Sequence, residues 1–279
     1  MMKKAFMFPG QGSQYPGMGG ELFIEFRDMI EQANEILGYD IRKLSVDQNK
    51  MNDTAFTQPL VFCINAFYYL KQIQQQHLPN YLIGHSLGEY NALFASGAMS
   101  FGDALRLVQK RAQFMAELNG GEMYAVLGIT KDQIADVLTK FPGIFISNYN
   151  TPTQTVISGL PEDTRRAIDV LEKLCRCVRL DVSGAFHSCY MSRASKEFEK
   201  VVRNVRFEKI RIPVISNVHA CEIPHDNIRN ELTEQIVSPV DFVDSVAYLI
   251  KHGVEEFVEV GEKKILTHMV AEIKRQYVP

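Results

Sequence analysis

Three observations predict an α/β fold. A short apolar run over residues 81–84 ends in Gly84-x-Ser86-x-Gly88 and passes at once into a helix-like stretch through Leu87, Tyr90, Leu93 and Phe94. That succession of strand, tight turn and helix is a nucleophile elbow. Residues 122–185 then change rhythm and read strand, helix, strand, strand, helix, strand, which is the ferredoxin-like βαββαβ order. On either side of that insertion, apolar strands alternate with amphipathic helices, the pattern of a parallel sheet. The expected architecture is a hydrolase-like α/β large domain of residues 1–121 and 186–279, carrying the elbow on a parallel sheet. A ferredoxin-like small domain of residues 122–185 would lie over it.

The elements follow in order. Residues 3–8 form a first strand, which runs into the loop Phe8-Pro9-Gly10-Gln11-Gly12-Ser13-Gln14. With two glycines, that loop is either a plain turn or a backbone that a ligand approaches closely, with free N–H groups at Gln11 and Gly12. Leu22, Phe23, Phe26, Met29, Ile30 and Ile36 give residues 20–37 a helical stripe, and Gly38 stops it. A second apolar helix covers residues 57–76. Ser100 caps a helix from about Gly102 whose face runs Ala104, Leu105, Leu107, Val108, Ala112 and Met115. Arg111 falls late in this helix, where an arginine is ordinarily solvated. Past the small domain come a helix within 186–207, a strand over 212–217, helices over 228–236 and 242–252, a strand over 257–260, and a last helix.

Composition excludes several classes. The chain has 279 residues, 46% of them hydrophobic and 23% charged, and a net charge of −3, which argues against a general nucleic-acid binder. No apolar run is long enough for a membrane span, and the N-terminal run stops too early, at Pro9-Gly10, for a signal peptide. The five cysteines are odd in number and lack zinc spacing, so neither a disulfide framework nor a metal site is expected. A reducing cytoplasm is the expected compartment.

A serine at neutral pH needs a base. His77, His225, His252 and His268 lie in polar contexts, His219 follows a strand near a turn, and His85 faces away from Ser86 across the tight turn. His187, in Ser183-Gly184-Ala185-Phe186-His187-Ser188 at the exit of the small domain, is the best candidate. It stands where the two domains would meet, 101 residues after the serine (187 − 86). Asp181 is too close to His187 in sequence to be a convincing triad acid. A Ser–His dyad steadied by a backbone carbonyl is physically equivalent.

These motifs together, in this order, resemble a family. Phe8-Pro9-Gly10-Gln11-Gly12-Ser13-Gln14, Gly84-His85-Ser86-Leu87-Gly88-Glu89-Tyr90, Lys110-Arg111-x-x-x-Met115, Ser147-Asn148-Tyr149-Asn150-Thr151-Pro152, Gly184-Ala185-Phe186-His187-Ser188 and Glu234-Gln235-Ile236-Val237-Ser238-Pro239-Val240 are similar to malonyl-CoA:acyl carrier protein transacylases. The likeness extends to polyketide synthase acyltransferases, most of all the free-standing ones that act in trans. The resemblance implies that Ser86 carries the acyl group as an ester and that His187 is base and acid. It implies an oxyanion hole of the Gln11 and Leu87 N–H groups, and Gln235 beside His187, where a backbone carbonyl replaces the acid. Arg111 would bind the free malonate carboxylate, with His85, Met115, Asn148, Asn150 and Phe186 around the substrate. No cofactor would be bound. Malonyl-CoA is the implied substrate, and the implied partner is an acyl carrier protein bearing phosphopantetheine. The protein would be a monomer in the cytoplasm, with neither nucleic acid nor membrane as partner.

Phe186 next to His187 resembles the His-Ala-Phe-His form of malonyl-selective domains, although Gly184 replaces its first histidine. A second departure is Gly261-Glu262-Lys263-Lys264, where relatives have Gly-Pro-Gly-Lys. That turn is expected to be remote from the motifs. With no further domain before Pro279, the carrier is expected in trans. The alternatives are a fatty-acid-synthesis transacylase and an acyl hydrolase that unloads carriers, the latter lacking the arginine. A docking protein without activity is a third.

Overall fold

A computed structural model of the protein describes residues 2–75 and 78–277; His77 and the last residue of the expected 57–76 helix lie outside them. Among the described residues, nine strands form two sheets: β1 Lys3–Phe8, β2 Tyr81–Gly84, β3 Glu122–Leu127, β4 Ile144–Thr151, β5 Gln154–Gly159, β6 Arg176–Arg179, β7 Val214–Ile215, β8 Val240–Asp241 and β9 Val254–Glu259. The first sheet has the order β7-β2-β1-β9 and is parallel throughout. Alternating residues of β1 serve its two faces, because successive side chains in a strand point in opposite directions. Phe6 and Phe8 pack with the helices Thr54–Gln74, Gly88–Ala95 and Phe101–Ala116. Ala5 and Met7 pack instead with Phe242, Val246, Leu266 and Val270 of the helices Phe242–Lys251 and Ile265–Tyr277. Burying a side chain such as Phe8 completely contributes ~1.5–3 kcal/mol.

The second sheet has the order β6-β3-β5-β4-β8. Its own helices, Lys131–Leu138 and Pro161–Leu171, cover one face through Val126, Ile134, Ile157 and Ile168. Met123, Ala125 and Val156 turn the other face onto the main core, above the elbow. Residues 122–185 supply four of its strands. The fifth, β8, comes from beyond that range and pairs in parallel with β4.

Several expected boundaries shift for local reasons. The long buried helix starts at Thr54 because Asp53 caps it, its side chain accepting from Ala55 N at 2.9 Å. The expected helix over 20–37 is two, Leu22–Glu25 and Arg27–Leu37, joined at Phe26, whose ring stacks on Phe67. The strand over 212–217 shrinks to β7: Pro213 has no N–H for a ladder, and Ser216 and Asn217 turn away to bond other segments. The turn 261–264 is not remote from the motifs, which overturns that expectation. β9 lies beside β1, so the turn is delivered onto the loop that follows β1. There Lys263 Nζ donates to Gln14 O at 3.0 Å, and Glu262 accepts from Tyr15 and Tyr68. Among the described residues, no helix is long and apolar enough to cross a membrane.

Candidate active site

In the register of the parallel sheet Phe8 lies opposite Gly84, so the Pro9–Gln14 loop and the elbow leave adjacent strands at the same, carboxyl edge. Ligands of open α/β sheets bind beyond that edge. The elbow is extremely tight. A Cβ on Gly88 would stand 1.9 Å from Phe8 O, and one on Gly84 2.0 Å from Glu89 N. Ser86 itself has φ +53°, and His187 has φ +56°. Non-glycine residues hold such angles only where their surroundings impose them.

For Ser86 those surroundings begin with Asn217. Its Oδ1 accepts from Ser86 N and its Nδ2 donates to Gly84 O, both at 2.7 Å, so one amide clamps both sides of the bend. Glu89, fully buried, accepts from Asn217 N at 2.7 Å. Burial, reinforced by the Glu231 carboxylate, pushes Glu89 up to about 8, against the donors that favour its charged form.

Ser86 Oγ has two neighbours. It donates to His187 Nε2 at 2.7 Å and accepts from Arg111 Nη2 at 3.1 Å. His187 Nδ1 faces the carbonyls of Gln235, at 2.8 Å, and Ser238, at 3.1 Å. Carbonyls only accept, so Nδ1 carries the proton and Nε2 is left free to take the one on Ser86. Burial, and secondly the Arg111 cation, hold His187 down at about 3, so the ring is neutral at neutral pH. Ser147 Oγ on β4 donates to Phe186 O at 2.9 Å and so ties the histidine segment to the second sheet. Asp181 is exposed and bonds Asn52 instead. His219, His225, His252 and His268 are exposed.

Arg111 is not solvated: it is 1% exposed. Its Nη1 donates to Gln58 Oε1 at 2.7 Å, and its Nη2 also donates to Gln235 Oε1 at 3.0 Å. Its guanidinium lies 5.5 Å from the centre of the Tyr90 ring. Burial lowers its pKa, but a guanidinium starts so high that it stays charged.

A cavity of about 230 Å³ opens over Ser86, lined by Gln11, Gln58, His85, Leu87, Arg111, Met115, Asn148, Asn150, Phe186 and His187, with apolar walls from Met123, Val156, Leu180 and Met269. That is smaller than the ~300–1,000 Å³ of pockets enclosing drug-sized ligands, so it admits the reacting end of a substrate and not all of a large one. His85 Nε2 donates to Asn150 Oδ1 at 2.8 Å. His85 thus lines the cavity without serving the serine. Gln11 and Leu87 also line it, and the backbone N–H of neither donates to any group among the described residues, while the Gln11 side chain donates to Thr54 Oγ1 at 3.1 Å. A pair of N–H groups left free beside a nucleophile suits an oxygen that gains negative charge.

The structure brings together the residues that the resemblance assigned to the site, but the Gly12 N–H, expected to be free, donates to Gln14 Oε1 at 2.7 Å. Three further participants, Gln58, Asn217 and Glu89, were not singled out. All act by holding other site groups.

Chemically, the arrangement offers an activated hydroxyl, two donors for an oxyanion and one buried cation. A model of the acyl transferase domain matches residues 5–277. The chain is 47% identical to a polyketide biosynthesis malonyl CoA-acyl carrier protein transacylase of Bacillus velezensis, over 97% of this chain and 96% of that one. Among solved structures it resembles the malonyl CoA-acyl carrier protein transacylase of Burkholderia pseudomallei, with a TM-score of 0.95, 40% identity and 99% of both chains covered. It also resembles a malonyl-transacylase solved with a type II polyketide synthase acyl-carrier protein, with a TM-score of 0.93, 30% identity, and 98% and 93% covered.

Proposed function

The chain belongs to the acyl transferase family, and from that premise we propose that it moves a malonyl group from malonyl-CoA to the phosphopantetheine thiol of an acyl carrier protein. The observation that carries this reading is the position of Ser86 Oγ between the base, His187 Nε2, and the buried cation, Arg111.

In the first half-reaction Ser86 Oγ attacks the thioester carbonyl while His187 Nε2 takes its proton. The oxyanion is held by the Gln11 and Leu87 N–H groups; one such donor is worth roughly 3–4 kcal/mol of barrier. The C–S bond breaks, His187 returns the proton to sulfur, and CoA leaves as a thiol. In the second half the carrier's thiol gives its proton to His187 and attacks the seryl ester. The C–O bond breaks and the proton returns to Ser86. Throughout, Arg111 pairs with the free carboxylate of the malonyl group, a match its fork makes bidentately. His85, Met115, Asn148, Asn150 and Phe186 shape the space around that group. Gln235 serves twice, its carbonyl steadying His187 and its side chain meeting Arg111.

The large, hydrolase-like domain of residues 1–121 and 186–279 holds the nucleophile. The ferredoxin-like domain of residues 122–185 roofs the cleft, with β8 extending its sheet. The enzyme works in the cytoplasm, in keeping with its five free cysteines, and acts as a monomer on a carrier supplied in trans. The 47% identity with a polyketide enzyme favours loading of a polyketide synthase over supply of fatty acid synthesis. A hydrolase reading is disfavoured by Arg111, which recognises cargo that is to be kept. The test supplies malonyl-CoA with phosphopantetheinylated carriers of both kinds and follows malonyl-carrier and free malonate. Rapid formation of malonyl-carrier with the polyketide type is expected. Release of free malonate as the main product would overturn the transfer reading, and a strong preference for the fatty acid carrier would overturn the pathway.

A further inference from the structure

Behind the serine, on the side away from the cavity, a chain of hydrogen bonds leads from a buried carboxylate to the guanidinium. Glu89 Oε2 accepts from Gln235 Nε2, whose second hydrogen goes to Ser86 O at 3.0 Å. Gln235 Oε1 then accepts from Arg111 Nη2 at 3.0 Å. A glutamine amide has one donating and one accepting end, and only its surroundings decide which faces where. Here two acceptors, the Glu89 carboxylate in its ionised form and the Ser86 carbonyl, hold the NH₂ end, so the oxygen is the end offered to Arg111. Glu89 is 0% exposed, and a buried carboxylate is costly unless it is hydrogen-bonded, as this one is by Asn217 N and Gln235 Nε2.

We propose that Glu89 is a positioning residue for acyl selectivity, orienting the Gln235 amide so that Arg111 presents its donors to the carboxylate of a dicarboxylic acyl group. This deepens the functional reading above and rests on it. Glu89 takes no part in the bond changes. It sets which acyl groups Ser86 accepts, by keeping the amide from turning its NH₂ toward the guanidinium, donor against donor.

Glu89→Gln tests this with little change of shape. The Asn217 N–H is fixed backbone and keeps the new oxygen, so the new NH₂ meets Gln235 Nε2 and the Gln235 amide must turn or lose a partner. The measurement is Ser86 acylation by malonyl-CoA and by acetyl-CoA on the same preparation, at a pH above 8, where the Glu89 carboxylate is ionised. Their ratio of kcat/KM is independent of the fraction folded. Since a hydrogen bond to a charged group is at stake, the ratio is expected to fall about tenfold or more, mainly through KM for malonyl-CoA. Gln235→Leu should lower the ratio similarly, and the double variant should fall no further than Gln235→Leu alone, because both act along one path. Equal losses for malonyl and acetyl in Glu89→Gln, or additive losses in the double variant, would overturn the proposal.

Protonating Glu89 puts a donor against the amide as the substitution does. The groups around Glu89 are Arg111, Tyr90 and Glu231, with His219 beyond Glu231 and with His187 and His85 across the serine. His187 serves both acyl groups and cancels in the ratio. Selectivity for malonyl is therefore expected to rise as pH passes upward through about 8, and to stay flat in Glu89→Gln. A ratio that moves with pH equally in both proteins would count against the proposal. Absence of Ser86 acylation in the parent protein would instead defeat the functional reading itself, so the two failures are distinguishable.

Discussion

Arg111→Ala separates recognition of the cargo from the chemistry at the serine. The side chain is 1% exposed and donates to Gln58 Oε1 at 2.7 Å, Gln235 Oε1 at 3.0 Å and Ser86 Oγ at 3.1 Å. Removing it strands two buried acceptors, each costing ~1–3 kcal/mol before water from the adjoining cavity refills part of the loss. Melting should fall by several degrees, since ~1 kcal/mol moves Tm by about 2–4 °C at this size. The kinetic effect is larger and selective. A malonyl carboxylate would enter the site with its partner gone, and leaving one charge of a buried pair uncompensated costs ~3–5 kcal/mol. That corresponds to about two to four orders of magnitude in kcat/KM for malonyl-CoA. Acetyl-CoA brings no carboxylate and should be spared. The assay is rapid-quench acylation of Ser86 by each thioester, read by intact mass. If both substrates lose activity by the same factor, Arg111 is not reading the carboxylate and the reasoning fails.

Three other outcomes follow from the same geometry. Asn217→Ala orphans Ser86 N and Gly84 O, costing ~2–6 kcal/mol for the two groups together, and acylation should slow with every substrate; an unchanged melting curve would contradict the clamp. Gly88→Ala drives a methyl to 1.9 Å from Phe8 O, and should give protein that is insoluble or without Ser86 acylation, whereas a fully active variant would contradict the packing of the elbow. Because burial and Arg111 hold His187 at about 3, malonylation of Ser86 should show no loss of rate near the ordinary imidazole value of 6.5 as pH falls; a limb centred there would mean the base is not buried as described. The native state also favours the neutral ring. Its contribution to stability is complete above 6.5 and declines as pH falls from there toward 3, and His187→Asn should remove that part of the acid slope.

What the sequence disclosed was whatever depends on local pattern. The elbow was readable because crowding demands glycine on both sides of Ser86, and the small sheet because its strands and helices alternate in a recognisable order. Arg111 was visible only through resemblance, since nothing local distinguishes a buried arginine from a solvated one. Gln58, Asn217 and Glu89 left no signal. Amides do not titrate, and a single glutamate after a glycine reads as the acidic first turn of a helix. Their work is done across the fold, Asn217 reaching residues more than 130 positions away. The turn at 261–264 was misjudged for a related reason. Its nearness to the Pro9–Gln14 loop follows from β9 lying beside β1, a pairing that only the folded sheet reveals. Strand β8 escaped notice because two residues carry no periodicity.

The most direct test of the account is where a malonyl group becomes attached. Brief exposure to malonyl-CoA, acid quench and peptide mapping by tandem mass spectrometry should find one malonyl ester, on Ser86, absent from Ser86→Ala and discharged by a phosphopantetheinylated carrier. A malonyl group on any other residue, or one that persists in Ser86→Ala, would contradict it.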